Sequence, residues 1–251
     1  MKNRSIFATY PDEYDAMTSA VTREPKHARE VESLIERFHP ARVLDAGCAT
    51  GLTSRLFAER GVEAVGLDRV GEIVEVARRR YENSGLAVSF HQGRFEKLPK
   101  SWNAKFDLIV CLANAIVGVE NLTGLNKALR GFHRALEPVG SIVIQLRNFK
   151  LVKEGELLPV KATVDGQRTY LRMMRRRGTR IELNAIRIDY SQTPPVFDPF
   201  SHEFHALTSP ELKAALEKAG FRKVKRFGNL LMTEPFRAIS KDLVFAARRP
   251  A

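Results

Sequence analysis

Long apolar runs and cysteines are both scarce in this chain, and each shortage argues against a class of protein. No apolar run approaches the roughly 18 residues that a membrane-spanning helix needs, and residues 1–15 lack the apolar core of a signal peptide. The two cysteines, Cys48 and Cys111, both lie in apolar, strand-like contexts. We therefore expect free thiols and a cytoplasmic protein that does not enter a membrane.

Positive charge is abundant, but it is spread along the sequence. The chain has 251 residues, of which 44% are hydrophobic, enough for one domain with a substantial core and an insertion. Its net charge of +12 raises the question of a polyanionic partner. The arginine clusters, such as residues 78–80 and 175–177, are short, and charge runs of this kind are usually solvated faces. Nucleic acid is therefore a disfavoured partner.

Strand-like apolar runs alternate with helical patterns over the first three fifths of the chain, and this alternation predicts βαβ units around a parallel sheet. The run FDLIVCL, residues 106–112, is typical of a parallel strand buried on both faces. The other predicted strands are 42–45, 62–67, 86–93 and 141–146, and the predicted helices are 29–38, 52–61, 72–81 and 122–136.

The pattern changes after residue 150. Residues 161–174 and 179–190 alternate around turns such as Asp165-Gly166, which predicts a small antiparallel β insertion. The proline-containing segment 192–201 is predicted to be a connector. A helix follows, with Ser209 as its cap, Pro210 at its first position and Gly220 at its end, before two final strands near residues 221–227 and 243–247.

These elements predict an α/β fold, a doubly wound and mostly parallel seven-stranded sheet with an antiparallel insertion. We divide the chain into four segments. They are residues 1–40 with the N-terminal helices, 41–150 with the parallel core, 151–192 with the antiparallel insertion, and 193–251 with the last helix and strands.

Two features of the core point to a nucleoside ligand. The sequence VLDAGCATG, residues 43–51, places small residues where a strand turns abruptly into a helix, so that backbone can approach a bulky ligand closely. Asp68 ends the next strand, where a carboxylate can accept hydrogen bonds from both hydroxyls of a ribose. Such turns also serve dinucleotides or purely structural loops, and a strand-end aspartate can be a plain surface residue, but the combination favours a nucleoside site.

These residues resemble the class I S-adenosylmethionine-dependent methyltransferases, which have a Rossmann-like fold. The resemblance runs from Ala41 to Asn148 and again over residues 205–228. Residues 111–114 and 147–149 are similar to the glycine N-methyltransferase-like branch, which methylates amines of small molecules. The resemblance implies S-adenosyl-L-methionine as cofactor, with S-adenosyl-L-homocysteine as product. It also implies that residues 1–40 include a lid, that residues 41–150 form the Rossmann-like core that binds the cofactor, and that the insertion 151–192 covers the substrate.

The resemblance also implies roles for individual residues. Asp45, Gly47 and Gly51 shape the loop around the methionine end, Asp68 holds the ribose, and Leu112 and Ala113 line the cleft after the fourth strand. Residues 10–15 resemble the start of a lid, in which Tyr14 closes over the cofactor through cation–π attraction or packs as an ordinary tyrosine. The remaining predicted cofactor contacts are Ala46, Cys48, Arg69, Phe95 and Glu96.

The chain departs from the family pattern at two positions. Ala49 replaces the middle glycine of the loop, which we expect to require a negative φ there. Arg94 stands where the family often has an acid that contacts the adenine amino group, and a guanidinium cannot accept a hydrogen bond. We expect either that Glu96 or a backbone group contacts the adenine amino group, or that the adenine is held mainly by stacking and backbone amides.

The acceptor is predicted to be a small molecule, with nitrogen favoured over oxygen because a positioned amine needs no dedicated base. The catalytic candidates are Asn114, Arg147, Tyr190, His202 and His205. A His-x-x-His pair without a third ligand does not predict a metal. Cys111 could act as a covalent nucleophile, but core packing is the favoured interpretation.

Two alternatives remain at this point. One is an RNA or protein methyltransferase that uses Arg172, Arg175, Arg176 and Arg177 as a basic track. The other is a non-catalytic binding protein that has lost the cofactor through Ala49 and Arg94.

Overall fold

The computed structural model describes residues 5–251, apart from the side chain of Lys161, so that positions 1–4 of the predicted lid segment lie outside the described residues. A seven-stranded sheet has the order β10-β11-β5-β4-β1-β2-β3. The predicted doubly wound fold with an antiparallel insertion is confirmed. The strands are β1 Arg42–Ala46, β2 Glu63–Asp68, β3 Val88–Gln92, β4 Phe106–Cys111, β5 Leu136–Arg147, β10 Arg222–Phe227 and β11 Asp242–Arg248.

Strands β1 to β5 are parallel to one another, and β11 is antiparallel to both β5 and β10. The helices that flank the sheet are α3 Ala20–Phe38, α4 Leu52–Ala58, α5 Gly71–Tyr81, α6 Leu122–Ala135 and α7 Ser209–Lys218. Within residues 5–251, no helix is both long and apolar enough to cross a membrane.

Alternating side chains of the central strands fill two separate layers of core. On β4, Leu108 and Val110 pack with residues of α3 and α4 such as Leu34 and Phe57. Ile109 and Cys111 point to the opposite face and join the cluster beneath α6 and α7. All these strand residues are fully buried, as expected for a parallel strand covered on both faces.

The antiparallel insertion is larger than the sequence indicated. It comprises β6 Leu157–Asp165, β7 Arg168–Arg177, β8 Arg180–Asp189 and β9 Val196–His205. The segment predicted as a connector supplies β9, so the sheet continues past residue 192, the predicted end of the insertion. Pro199 is accommodated because β9 is an edge strand, where a missing N–H can face away from the ladder.

Two helix boundaries also differ from the prediction. Helix α3 begins at Ala20, nine residues before the predicted start at Arg29, and it accommodates Pro25. Helix α7 is capped by Thr208 rather than Ser209. The Thr208 side chain accepts a hydrogen bond from the backbone N–H of Glu211, and the Glu211 carboxylate accepts from the backbone N–H of Thr208.

The N-terminal segment, with α1 Ile6–Thr9 and α2 Tyr14–Thr18, is fastened to the antiparallel sheet by Glu13. The Glu13 carboxylate accepts hydrogen bonds from Arg187 Nε and Nη2, at 2.7 and 2.9 Å, and from the hydroxyl of Tyr170 at 2.6 Å. Only 7% of the Arg187 side chain is exposed, and its guanidinium lies over the ring of Tyr10 at 4.3 Å. Lid and sheet are therefore coupled by largely buried charge-assisted hydrogen bonds.

Replacing Glu13 with alanine should loosen this contact. We expect the free energy of unfolding of the Glu13→Ala variant to fall by about 1–3 kcal/mol, because Arg187 would be left with Asp189 as its remaining carboxylate partner. Urea unfolding measures the loss, and amide hydrogen exchange over residues 5–18 locates it. The control is Asp12→Ala, which removes an exposed pair with Arg79 and should cost less than about 1 kcal/mol; equal effects of the two variants would contradict the assignment.

The same contact should depend on pH. Burial acts to raise the pKa of Glu13, but the hydrogen bonds from Arg187 and Tyr170 outweigh it and hold that pKa below the ordinary value of 4.5. A depressed carboxylate pKa stabilises the folded state above the ordinary value, and this stabilisation disappears as the pH falls through the depressed value. Exchange of amides 5–18, corrected for its intrinsic pH dependence, should rise below pH 4.5 in the wild type. A similar acid step in Glu13→Gln would show that another group is responsible.

Candidate functional site

A cavity of about 650 Å³ lies at the carboxyl ends of the parallel strands. It opens where the strand order reverses between β1 and β4, which is the position at which doubly wound sheets bind their ligands. The N-terminal segment and α3 form one wall, and side chains of the antiparallel sheet cover the top.

The turn after β1 forms the floor of the cavity. Gly47 has φ of +95°, and a Cβ at this position would lie 2.3 Å from the Cβ of Ala115. The N–H groups of Gly47 and Cys48 both donate to the carbonyl of Leu67, at 2.7 and 3.1 Å. Glycine is required here because the chain passes this point with a positive φ and no room for a side chain.

Ala49 does not adopt the negative φ that we expected. Its φ is +47°, in the left-handed region that alanine enters only at a cost. Its N–H donates to Asp68 Oδ2 at 3.1 Å, and this hydrogen bond helps to hold the residue in that conformation. The loop thus keeps the form that a glycine would allow, with some backbone strain at the cavity wall.

Asp68 lies beside the turn and faces the same cavity. Its Oδ1 accepts from the N–H of Val70 at 3.0 Å, and each carboxylate oxygen keeps a second lone pair for a ligand. Burial raises the pKa of this carboxyl group, while the hydrogen bonds from Val70 and Ala49 oppose the shift. Asp68 therefore both orders the turn and offers acceptors to the cavity.

Asp45 is the second carboxylate of the floor. It is 2% exposed and accepts a hydrogen bond from the hydroxyl of Ser54 at 2.7 Å. Burial raises its pKa to about 6, against the opposing effects of Ser54 and His27. A positively charged ligand group nearby would favour its ionised form.

The wall after β4 is built by two consecutive residues with positive φ, Ala113 at +50° and Asn114 at +70°. The Asn114 side-chain oxygen accepts from the N–H of Arg147 at 2.6 Å, and the N–H of Ala113 donates to Gln145 Oε1 at 2.7 Å. Asn114 thus ties the β4 and β5 loops together, although it was considered only as a catalytic candidate.

Tyr14 enters the cavity from the lid. Its ring packs edge-on against Phe7, with centroids 5.4 Å apart. Burial and the charge of Asp68 raise its pKa to about 12. The hydroxyl group therefore stays protonated at neutral pH and can donate a hydrogen bond.

Arg94, Phe95 and Glu96 all line the cavity after β3. The guanidinium of Arg94 pairs with Glu120 at 2.6 Å and lies 3.7 Å from the carboxylate of Glu96. The charge of Arg94 is therefore directed at these two carboxylates, and the expectation that Glu96 or backbone groups contact the adenine stays a prediction.

His202 lies on the cover, where β9 faces the cavity. Burial lowers its pKa, and the nearby charges of Arg69 and Arg180 lower it further. The imidazole is therefore uncharged at neutral pH and able to accept a proton.

Most of the residues predicted to bind the cofactor or to act in catalysis line the cavity, and four of them do not. Ala46 is a fully buried β1 residue, and Gly51 faces Phe90 behind the turn. Tyr190, 51% exposed, follows β8 outside the cavity, and His205 bonds to Glu211 at 2.9 Å beside the capping box of α7. Tyr190 and His205 therefore lie outside the lining of this cavity. The predicted residues that line the cavity are Tyr14, Asp45, Gly47, Cys48, Asp68, Arg69, Phe95, Glu96, Leu112, Ala113, Asn114, Arg147 and His202.

Several cavity residues were missed or assigned elsewhere. Alternate residues of the insertion strands face the cavity, but the alternation of residue types in the sequence does not show which of the two faces of the sheet that is. Lys26 and His27 fall in the part of α3 that the sequence pattern does not predict as helix, and Glu30 lies within the predicted helix but was not predicted to contact a ligand. The residues contributed by the insertion are Val160, Arg172, Met174, Leu183, His202 and Phe204.

The arginines expected to form a basic track are divided between environments. Arg172 lines the cavity, whereas Arg175 and Arg177 pair with Glu182, at 2.8 and 3.4 Å. Arg176 donates to the carbonyl of Gly178. Strand alternation and these pairings leave no continuous track of the four.

Both cysteines are free and buried, as predicted. Burial raises the pKa of the Cys111 thiol well above its ordinary value, and the charges of Asp45 and Asp68 add to the effect. Cys111 belongs to the core beneath α6, which favours the packing role over nucleophilic catalysis. Within residues 5–251, no group of three His, Cys, Asp or Glu side chains is placed to hold a metal ion.

Comparison with known proteins places this architecture in a family. A family model described as a methyltransferase domain matches residues 39–189, more than half of the chain. The chain therefore belongs to this methyltransferase family, and the resemblance to S-adenosylmethionine-dependent methyltransferases is confirmed.

Individual relatives are more distant. A ubiquinone biosynthesis O-methyltransferase from Pseudomonas aeruginosa is 30% identical over 107 residues, which are 43% of this chain and 44% of the relative. This chain thus spans about half the length of the curated relatives that it matches.

Two solved structures share the fold over nearly the whole chain. An S-adenosylmethionine-dependent methyltransferase from Clostridium acetobutylicum aligns with a TM-score of 0.80 and 13% identity, covering 98% of this chain and 100% of the other. An amino pentose methyltransferase from Micromonospora echinaspora, solved with S-adenosylmethionine bound, has a TM-score of 0.73 and 21% identity, covering 92% and 96%.

The strain at Ala49 can be tested by restoring glycine. We expect Ala49→Gly to stabilise the protein by about 0.5–1 kcal/mol, because glycine adopts a positive φ without a steric penalty. The control is Ala219→Gly, at a residue with φ of −76°, where glycine should destabilise by roughly 0.5–1 kcal/mol. Urea unfolding measures both; a destabilised Ala49→Gly would mean that the positive φ is not strained.

Proposed function

We propose that this chain binds S-adenosylmethionine in the cavity and transfers its methyl group to a small molecule held beneath the antiparallel sheet. The observation that carries the proposal is the meeting of Asp68 with the Gly47–Gly51 turn. The two features that the sequence connects with a nucleoside are joined by the hydrogen bond from Ala49 to Asp68, on the wall of one cavity.

The charges of the floor suit this ligand. S-adenosylmethionine carries a sulfonium and an ammonium group, and Asp45 and Asp68 place two carboxylates along the turn. We assign Asp68 to the ribose hydroxyls and Asp45 to the methionine end. Phe95 and Glu96 would face the adenine, and the ring of Tyr14 would lie near the sulfonium.

The protein would contribute mainly orientation and exclusion of water. Methyl transfer requires the acceptor atom to approach the methyl carbon in line with the breaking bond to sulfur. The lid and the antiparallel sheet close the cavity over this region, and Glu13 couples the two. Such a closed site desolvates the nucleophile before transfer.

We favour nitrogen as the accepting atom. A neutral amine can attack without a base in contact with it, whereas a hydroxyl group needs one. Among the catalytic candidates that line the cavity, His202 is suited to act as the base for a hydroxyl acceptor, because its imidazole is uncharged. An O-methyltransferase is among the named relatives and an amino pentose methyltransferase among the structural neighbours, and the preference for nitrogen rests on the absence of a base requirement for an amine.

A small-molecule acceptor is favoured over RNA or protein. An RNA-binding surface would need a basic track leading to an open cleft, and the ion pairs of Arg175 and Arg177 with Glu182 interrupt that track.

The proposal predicts that removal of the Asp68 carboxylate weakens cofactor binding. Isothermal titration with S-adenosylhomocysteine should show Asp68→Ala binding weaker by about 1–3 kcal/mol, because ribose hydroxyls would lose their charged acceptor. Glu75→Gln, an exposed change on the neighbouring helix α5, should bind like the wild type.

Circular dichroism of both variants separates loss of binding from loss of folding. Unchanged affinity in a folded Asp68→Ala protein would remove Asp68 from the site. Absence of any heat with the wild type would instead support the non-catalytic alternative.

A further inference from the structure

Arg172 lines the cavity from β7, and within residues 5–251 no carboxylate forms an ion pair with its guanidinium group. Its Nε is buried and makes no hydrogen bond within the part of the chain that the structure describes. Other side chains share this property, but of these Arg172 alone lines the cavity. A buried guanidinium nitrogen without an acceptor is costly unless a ligand supplies one.

Apolar side chains, a tyrosine hydroxyl group and a second guanidinium group lie near Arg172. Ala185 lies opposite it on β8, and the next inward residues of the sheet are Met174 and Leu183. Burial lowers the pKa of Arg172, the Tyr14 hydroxyl group opposes this shift, and the positive charge of Arg23 adds to it. A region with two guanidinium groups and a tyrosine hydroxyl favours an oxyanion.

Other cations of the cavity have acceptors. Arg23 donates to the carbonyl of Thr18 at 2.8 Å, Arg69 to that of Gly118 at 3.0 Å, and Arg94 to the carboxylate of Glu120 at 2.6 Å. Lys26 pairs with the carboxylate of Glu30 at 3.5 Å, and the charge of Arg147 acts on the carboxyl group of Asp242 and lowers its pKa against the raising effect of burial. These contacts distinguish Arg172 from the cations that are already satisfied.

We propose that Arg172 binds an oxyanion of the methyl acceptor, so that the acceptor is a small molecule carrying a carboxylate or phosphate on an apolar skeleton. The planar guanidinium group of Arg172 can donate hydrogen bonds to two oxygens of the carboxylate or phosphate, while Met174, Leu183 and Phe204 contact the apolar skeleton of the acceptor. This inference rests on the proposed function. It assigns the acceptor to the antiparallel sheet because Arg172 belongs to the cover and not to the turn that holds the cofactor.

Fluorine NMR can test the proposal with simple probes. Fluorobenzoate and fluorophenyl phosphate carry the two oxyanions on an aromatic skeleton, and fluorobenzamide is the neutral control. Each is titrated into the protein saturated with S-adenosylhomocysteine, whose carboxylate then already occupies its own place. We expect at least one anionic probe to bind, and the amide to bind about tenfold more weakly or not at all.

Substitutions identify the residue responsible. Arg172→Gln should weaken binding of the anionic probe by about tenfold or more. Arg172→Lys keeps the positive charge but cannot donate to two oxygens in the planar geometry of a guanidinium group, so its affinity for the probe should lie between those of Arg172→Gln and the wild type. Arg175→Gln is the matched control on the same strand, since its partner Glu182 lies outside the cavity; it should leave binding unchanged.

The possible failures are distinct. Unchanged probe affinity in Arg172→Gln, equal binding of the amide, or no probe binding in the loaded protein would overturn the assignment. Probe binding to the free protein that S-adenosylhomocysteine abolishes would show that Arg172 holds the cofactor carboxylate, and would also overturn it. Absence of S-adenosylhomocysteine binding, measured first by calorimetry, would overturn the proposed function instead.

Discussion

The close contact between the turn after β1 and the loop after β4 is the constraint on which the site depends. Gly47 passes Ala115 so tightly that no β-carbon fits, and the carbonyl of Leu67 and the carboxylate of Asp68 bind the turn from the neighbouring strand. Three parallel strands are thereby joined at their carboxyl ends. The cavity lies at this junction because the strand order reverses there and leaves the space between two crossover connections unfilled.

The molecule separates two tasks between its two sheets. The parallel sheet supplies the carboxylates of the floor, Asp45 and Asp68, on rigid strand ends with cores packed against both faces. The antiparallel sheet supplies the cover, in which apolar side chains surround Arg172. Opposite charges thus face the cavity from below and from above. This arrangement suits a cationic cofactor on the floor and an anionic acceptor under the cover.

The N-terminal segment and the antiparallel sheet are joined beside the cavity. The N-terminal segment contributes Tyr14 to the cavity and is bound to Arg187 and Tyr170 of the antiparallel sheet through Glu13. These largely buried hydrogen bonds hold the wall that carries Tyr14 against the sheet that carries Arg172.

The amino-acid sequence by itself determined the doubly wound core, because buried strands and amphipathic helices differ in the period of their apolar residues. It also indicated that Gly47 and Asp68 lie close together, because the residues that follow neighbouring parallel strands meet at the same edge of the sheet. It did not determine which face of the insertion points to the cavity. The sequence therefore places Arg172 and Arg175 in one basic track, and Tyr190 and His202 together among the catalytic candidates. Nor did it show that Ala49 would adopt a positive φ or that residues around Pro199 would form an edge strand. These features were decided by tertiary contacts, namely the hydrogen bond to Asp68 and the pairing with β8, which join residues far apart in the chain and can override local preference.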